Sequence, residues 1–237
     1  MLEFQQLSFC YPDTTAPALV DVSCTVAPGS YVVMLGANGS GKTTLARLAN
    51  GLLLPESGAV IVDGLDSSDI LRQRELRQLV GLVSQDPDEQ IVSTTVLDEV
   101  AFGPENLGLP PTEIATRAQQ SLAAVGLLGL SEHDPNTLSG GQKQRLVLAG
   151  ILAMHPRYLV MDEPTAMLDS AARNEFMNII DDQRSQGRGI LHITHDLTMA
   201  AQANSVLVLC AGKLVFQGPP AKLLAAEADL VTWQLKT

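Results

Sequence analysis

No stretch of this sequence approaches the ~18 uncharged apolar residues that a membrane-crossing helix needs. Met1 to Leu7 carries Glu3 where a secretion signal would have a basic start before an apolar core. The expectation is a chain that neither spans a membrane nor carries an export signal. Cysteine is scarce: Cys10, Cys24 and Cys210 are odd in number, far apart and without the paired spacing that zinc takes, which fits reduced, structural thiols in a cytosol. Positive charge is in short supply as well, with 15 Lys and Arg against 26 Asp and Glu for a formal net charge of -11. That balance opposes a non-specific grip on DNA or RNA, which works by neutralising phosphates, and a basic partner is easier to accommodate. There is no internal repeat and no low-complexity tract. The 237 residues suffice for a sizeable core, as one α/β domain or a core with one subordinate lobe.

What is present is organised around Gly36-Ala37-Asn38-Gly39-Ser40-Gly41-Lys42-Thr43-Thr44, which fits the Gly-x4-Gly-Lys-Ser/Thr phosphate loop. Tyr31 to Leu35 before it is a short apolar run, and Leu45, Leu48, Ala49 and Leu52 after it recur at helical spacing, so the context is strand, loop, helix. Glycines let the backbone turn tightly and aim successive N–H groups inward at the positive end of the following helix, which favours an anion. Asn38, Gly39, Ser40, Gly41, Lys42, Thr43 and Thr44 then donate N–H groups to a nucleotide phosphate. Lys42 reaches the β/γ-phosphates, and Thr43 offers a hydroxyl to Mg²⁺.

Upstream, Leu2 to Phe9 and Ala18 to Val26 alternate with period two, as an antiparallel edge leading into a parallel core. Tyr11, at the end of the first of these strands, is either an aromatic that stacks on a base or part of the core packing. Downstream, Ala59 to Val62 and Leu79 to Val83 read as strands, with Gln85 just past the second. From Gln78 to Thr116 there are seven acidic residues and no Lys or Arg, either a solvated face or a dock for something basic. Pro104, Gly108, Pro110 and Pro111 break this region into loops and short helices; Thr112 to Val125 and Gly140 to about Met154 read as helices. Tyr158 to Met161 is a strand running into Asp162-Glu163-Pro164, and Ala171 to Arg184 is a helix. Ile190 to Thr194 is a buried strand ending at His195, and two short strands and a closing helix follow.

Adjacent carboxylates at a strand end, downstream of a phosphate loop, suit metal-assisted phosphoryl transfer because the two acids can divide two jobs. Asp162 holds Mg²⁺ through water and Glu163 orients the attacking water; the plainer alternative is a turn-initiating Asp-Glu-Pro. His195 either contacts the γ-phosphate or is a satisfied strand-end histidine, and His192 is structural. Leu138-Ser139-Gly140-Gly141-Gln142 supplies a second glycine-rich helix start, with Ser139 as cap. Two phosphate-binding helix ends in one chain invite a dimer in which each nucleotide is held by one end from each subunit.

On these residues the chain resembles the ATP-binding subunit of ABC transporters, over nearly its whole length. The matches are Gly36 to Thr43, Gln85 as the Q-loop residue, the signature Leu138 to Gln142, Asp162-Glu163, Asp169 of the D-loop and the switch residue His195. The segments from Gln85 to Val92 and from Val100 to Asn106 are similar to the energy-coupling factor group, which includes vitamin and cobalt or nickel uptake systems. The implied fold is a P-loop NTPase (RecA-like) α/β core with an antiparallel β edge and an inserted helical lobe. The whole chain, 1–237, is then a single ABC ATPase domain, with core 1–85 and 156–217, lobe 86–155 and tail 218–237. The resemblance makes Tyr11 the adenine-stacking aromatic and Gln85 a γ-phosphate sensor that also serves the Mg²⁺ site. It counts Ser139, Gly140, Gly141, Gln142 and Asp169 among the nucleotide-contacting residues.

The resemblance also implies a peripheral ATPase on the cytoplasmic face of a membrane, binding ATP and Mg²⁺. It closes head to tail with an identical or different second ATPase, beside a transmembrane scaffold and a separate substrate-binding membrane protein, to drive import of a micronutrient. Asp86, Asp88, Glu89, Asp98 and Glu99 are expected to receive basic residues of the scaffold, and no nucleic acid is expected. Ser84 stands where an aromatic is expected, and Ser170 where proline is common. The chain ends soon after Pro220, whereas many relatives continue through a region that holds the two ATPases together, so the resemblance does not carry over a constitutive dimer. A soluble ABC ATPase acting on nucleic acid or ribosomes, a nucleotide-driven dimerisation switch and a small-molecule kinase are the alternatives. The kinase has no use for the signature.

Overall fold

In Leu2–Phe9 (β1) and Leu19–Val26 (β2) apolar residues recur on one face, and the computed structural model pairs the two strands antiparallel, Leu2 opposite Val26 and Phe4 opposite Cys24. The structure describes residues 1–12, 14–225, 227–233 and 235. On its other edge β1 pairs with Ser57–Val62 (β4), which turns at Asp63-Gly64 into Leu65–Asp66 (β5); the sheet order is β2-β1-β4-β5. Gln6, at φ 49°, sits where the register of β1 slips. Such a bulge sharpens the local twist of a strand.

The second sheet has a different composition because both of its faces are covered. Tyr31–Leu35 (β3), Tyr158–Asp162 (β7) and Gly189–Thr194 (β8) are buried at every residue, as continuous apolar runs in parallel sheets are. With Val80–Val83 (β6), Ser205–Cys210 (β9) and Lys213–Gly218 (β10) the order is β10-β9-β3-β8-β7-β6. Strands β9, β3, β8 and β7 run parallel, and β10 returns antiparallel. Leu35 lies opposite Thr194, and Asp162 opposite Ile193, so three strands end level. Ligands of such sheets bind beyond the carboxyl ends of the strands, where the chain continues here as Gly36, Glu163 and His195.

The helices are Lys42–Ala49 (α1), Gln73–Leu79 (α2), Val96–Asn106 (α3), Pro111–Ala124 (α4), Gly140–Ala153 (α5), Ser170–Ser185 (α6), Pro220–Ala225 (α7) and Glu227–Thr232 (α8). Helix α2 has no counterpart in the sequence reading; it buries only Leu76, too little for a periodic signal. Pro104, read as a breaker, lies buried within α3, which ends two residues later at Asn106. Among the described residues no helix is long and apolar enough to cross a membrane. The chain forms two compact units: Met1–Leu82, Arg157–Glu163 and Gly187–Thr237 in the first, Val83–Pro156 and Pro164–Gln186 in the second. Helix α6, assigned by sequence to the core span 156–217, thus belongs with α3, α4 and α5. Of the tail 218–237, residues 226, 234, 236 and 237 lie outside the described ones.

His192, in the middle of β8, is fully buried, with Nδ1 2.7 Å from the Tyr31 hydroxyl. Burial, partly opposed by the charge of Asp196, pushes its imidazole down to about 4. A depressed histidine stabilises the fold fully above its ordinary value of 6.5, and this contribution is lost as pH falls toward 4. The loss expected by pH 4 is on the order of 3 kcal/mol. Urea-unfolding midpoints between pH 7 and 4 check it: the decline should flatten in the double variant Tyr31→Phe/His192→Leu.

Candidate functional site

In the first unit the loop after β3 closes around Lys42. The ammonium is buried and donates to the carbonyls of Gly36 at 2.8 Å and Ala37 at 3.0 Å, with Glu163 Oε1 3.9 Å away. Burial lowers its pKa, while the charges of Glu163 and Asp162 oppose that shift. Gly41 has φ 105°, and a Cβ there would lie 2.5 Å from the Ala18 carbonyl, so only glycine allows both the turn and the approach. Asn38 and Gly39 are exposed at the outer bend, whereas the Ser40 hydroxyl is buried with no partner among the described residues. Thr44 is buried, and its hydroxyl lies 3.1 Å from that of Tyr11, whose ring stands edge-on to Phe9 at 5.0 Å. Tyr11 is thus half-buried against the core and at the same time tied to the phosphate loop.

The ends of β7 and β8 bring the carboxylates to this loop. Asp162 is buried, which raises its pKa, and the Thr43 hydroxyl hydrogen-bonded to it pulls the other way. Its Oδ1 is buried without a partner among the described residues. A hydroxyl beside a carboxylate with one oxygen to spare is a donor set that fits Mg²⁺, which takes one or two protein oxygens and fills the rest from water and phosphate. Glu163 sits at φ 51°, a conformation that side chains rarely adopt, with its N–H donating to Ile193 O. Its carboxylate is 11% exposed, and Oε2 lies 2.8 Å from Nδ1 of the largely exposed His195. Lys42, Thr43, Asp162, Glu163 and His195, scattered in sequence, therefore share one constellation.

In the second unit Ser139 opens α5 with a reciprocal cap: its hydroxyl accepts from Gln142 N at 3.3 Å, and Gln142 Oε1 accepts from Ser139 N at 2.8 Å. The N–H groups of Gly140 and Gly141 stand at the helix start, and Gln142 retains its amide NH₂. A Cβ on Gly141 would lie 2.8 Å from that of Ala172, and Asp169 accepts from Ala172 N at 2.8 Å, so the signature and Asp169 meet at the start of α6. Gln85 is exposed just beyond β6.

The acidic stretch divides into two kinds of residue, which corrects its reading as a uniform dock. Glu99 is 8% exposed, and its Oε2 accepts from Val92 N and Ser93 N at 2.9 and 2.8 Å. Asp88 is paired with Lys143 at 2.6 Å. Glu99 is thus closed to a partner, whereas Asp88 stays largely exposed with Oδ1 already paired. Asp86 caps the turn Pro87–Glu89, while Glu89 and Asp98 are exposed, as are the apolar Val92 and Phe102. Lys143 and Gln144 escaped sequence reasoning, and Glu99 was assigned to the dock although it falls in step with Val96 and Val100 on the buried side of α3.

A family model described as ABC transporter matches residues 19–166. The energy-coupling factor transporter ATP-binding protein EcfA1 of Clostridium perfringens is 47% identical over 230 residues, covering 95% of this chain and 82% of that protein. The cobalt import ATP-binding protein CbiO of Syntrophus aciditrophicus is 45% identical over 234 residues, covering 99% and 83%. Among solved structures, cbiO1 of Clostridium perfringens, part of the ABC transporter complex cbiONQ, superimposes with a TM-score of 0.85 at 34% identity, covering 99% of this chain and 94% of the other. A dimeric ATP-binding cassette in a post-hydrolysis state with ADP and Pi has a TM-score of 0.83 at 26% identity, covering 93% and 99%.

Proposed function

The chain belongs to the ABC transporter family, and from that premise we propose that it is the ATP-binding and hydrolysing subunit of an energy-coupling factor type importer of a vitamin or transition-metal ion. The observation that carries the reading is the convergence of Lys42, Asp162, Glu163 and His195 at the level ends of adjacent parallel strands. Residues 1–237 act as one ABC ATPase domain.

The loop N–H groups from Asn38 to Thr44 and the Lys42 ammonium bind the phosphates of ATP, and Tyr11 packs on the adenine. Thr43 and Asp162 would hold Mg²⁺, with Gln85 in the part that the family resemblance gives it, and the ion would supply charge neutralisation to the transferred phosphoryl group. Glu163 orients the attacking water and accepts its proton, a general-base role to which its position beside Lys42 and His195 is suited. His195 keeps the Glu163 carboxylate aimed and reaches the γ-phosphate through its exposed edge. Ser139, Gly140, Gly141, Gln142 and Asp169 cover the nucleotide held by a second ATPase, identical or different, in a head-to-tail dimer. ATP favours the closed pair and ADP does not, so a partner coupled to the two states is driven between them.

The partner side is the exposed Val92 and Phe102 with Glu89 and Asp98. Apolar residues flanked by exposed acids suit a basic amphipathic segment of a transmembrane scaffold on the cytoplasmic face, beside a separate substrate-binding membrane protein. Affinity capture of the tagged chain from detergent-solubilised membranes, followed by mass spectrometry, tests this. A scaffold and a small membrane protein should co-purify, and Glu89→Gln/Asp98→Asn should weaken capture and its salt dependence, with ATP affinity as the check on folding. Reproducible capture of soluble proteins or nucleic acid alone would leave the ATPase and remove the transporter.

A further inference from the structure

Two neighbouring side chains of α5 grip the loop that carries Gln85. Gln144, only 1% exposed, donates from Nε2 to Ser84 O at 3.0 Å, and the Lys143 ammonium lies 2.6 Å from Asp88 Oδ1. Gln85 lies between these two anchored positions, and the loop is closed on itself by Ser84 N donating to Gln90 Oε1 at 2.7 Å. Consecutive helix positions diverge around the axis, so two grips at separate points of one loop fix its rotation as well as its place. Gln85 itself faces a cavity of about 260 Å³ bordered by this loop, the start of α5 and the segment from Pro164 to Leu168. With open space on that side, the anchors rather than close packing decide where Gln85 stands.

We propose that Lys143 and Gln144 are positioning residues for Gln85, tying the segment that senses the γ-phosphate to the helix that begins with the signature, so that the two move as one piece. The inference rests on the nucleotide roles assigned above to Gln85 and to Ser139–Gln142. It accounts for two departures from simpler readings. Ser84 is held through its backbone atoms, so its side chain is free to differ from the aromatic expected there. Asp88 is largely exposed, and ion pairs so placed add little to stability. The pair therefore serves direction, and an effect on turnover can be separated from one on folding.

The test is steady-state phosphate release by the full chain with Mg-ATP. Lys143→Met and Asp88→Asn should each lower kcat about tenfold, with KM for ATP within about twofold and thermal melting close to wild type. Gln144→Glu, nearly isosteric, replaces the donor facing Ser84 O and should do the same. The charge-reversed pair Lys143→Asp/Asp88→Lys should regain at least about half of the lost turnover. A folded single variant with wild-type kcat, a KM change at constant kcat, or a reversed pair no better than the singles overturns the proposal. If Lys143→Met does not fold, Asp88→Asn on the exposed side carries the same test. Glu163→Gln, run in parallel, separates the two levels. Turnover in that variant removes the catalytic reading, whereas an inactive Glu163→Gln beside fully active anchor variants removes the anchoring alone.

Discussion

Glu163→Gln is expected to bind ATP about as well as the wild type, to lose at least about a hundredfold in turnover, and to accumulate as a closed dimer. The substitution keeps the size of the side chain and its reach to His195, 2.8 Å from Oε2, and glutamine meets the same backbone demand at φ 51° as glutamate does. What it removes is the ability to take a proton from water, and a positioned general base contributes typically ~10²–10⁴ in rate. It also removes the negative charge 3.9 Å from Lys42, so repulsion of the phosphates falls and ATP affinity does not suffer. Phosphate release and size-exclusion profiles with ATP and with ADP are the measurements. Turnover within a few-fold of wild type would take Glu163 out of its role and leave another group to activate the water.

Lys42→Ala should weaken Mg-ATP binding at least about a hundredfold, on the order of 3 kcal/mol. The ammonium does two things in the loop: it meets the carbonyls of Gly36 and Ala37, and it sets the one nearby cation of the described constellation against Asp162 and Glu163. Alanine leaves the two carbonyls to find other donors and removes the cation that acts on both carboxylates, with the charge of Arg47 still opposing that of Asp162. Lys42→Met keeps the packing of the stem and lacks the charge, so it separates the two contributions. Equal loss in both variants, read by calorimetric titration, assigns the effect to the charge. Retained affinity in Lys42→Met would assign it to packing and move the phosphate contact elsewhere.

The elements legible before the structure are those whose chemistry is contiguous. A phosphate loop needs glycines, a lysine and a threonine in one run between a strand and a helix, and a capped helix start needs Ser139 and the residues just after it, so the chain itself spells out Gly36–Thr44 and Ser139–Gln142. Buried parallel strands announce themselves as short apolar runs, which is why β3, β7 and β8 fell within a residue of their places. Helix α2 was invisible because a helix that buries a single leucine has almost no periodicity.

Everything that depends on which distant residues meet was decided by the tertiary structure. An acid in sequence is one charge, whether it ends up like Asp98 in water, like Asp88 against a lysine 55 positions away, or like Glu99 holding two backbone N–H groups in the interior. The sequence by itself determined the glycine-rich loop Gly36–Thr44, the capped helix start Ser139–Gln142 and the adjacent carboxylates Asp162 and Glu163 at a strand end, because local backbone geometry and residue type suffice for them. The level ends of β3, β7 and β8, the approach of His195 to Glu163 and the grip of α5 on the Gln85 loop came only from folding. They are long-range pairings, selected by packing of the whole core rather than by any property of the residues taken one stretch at a time.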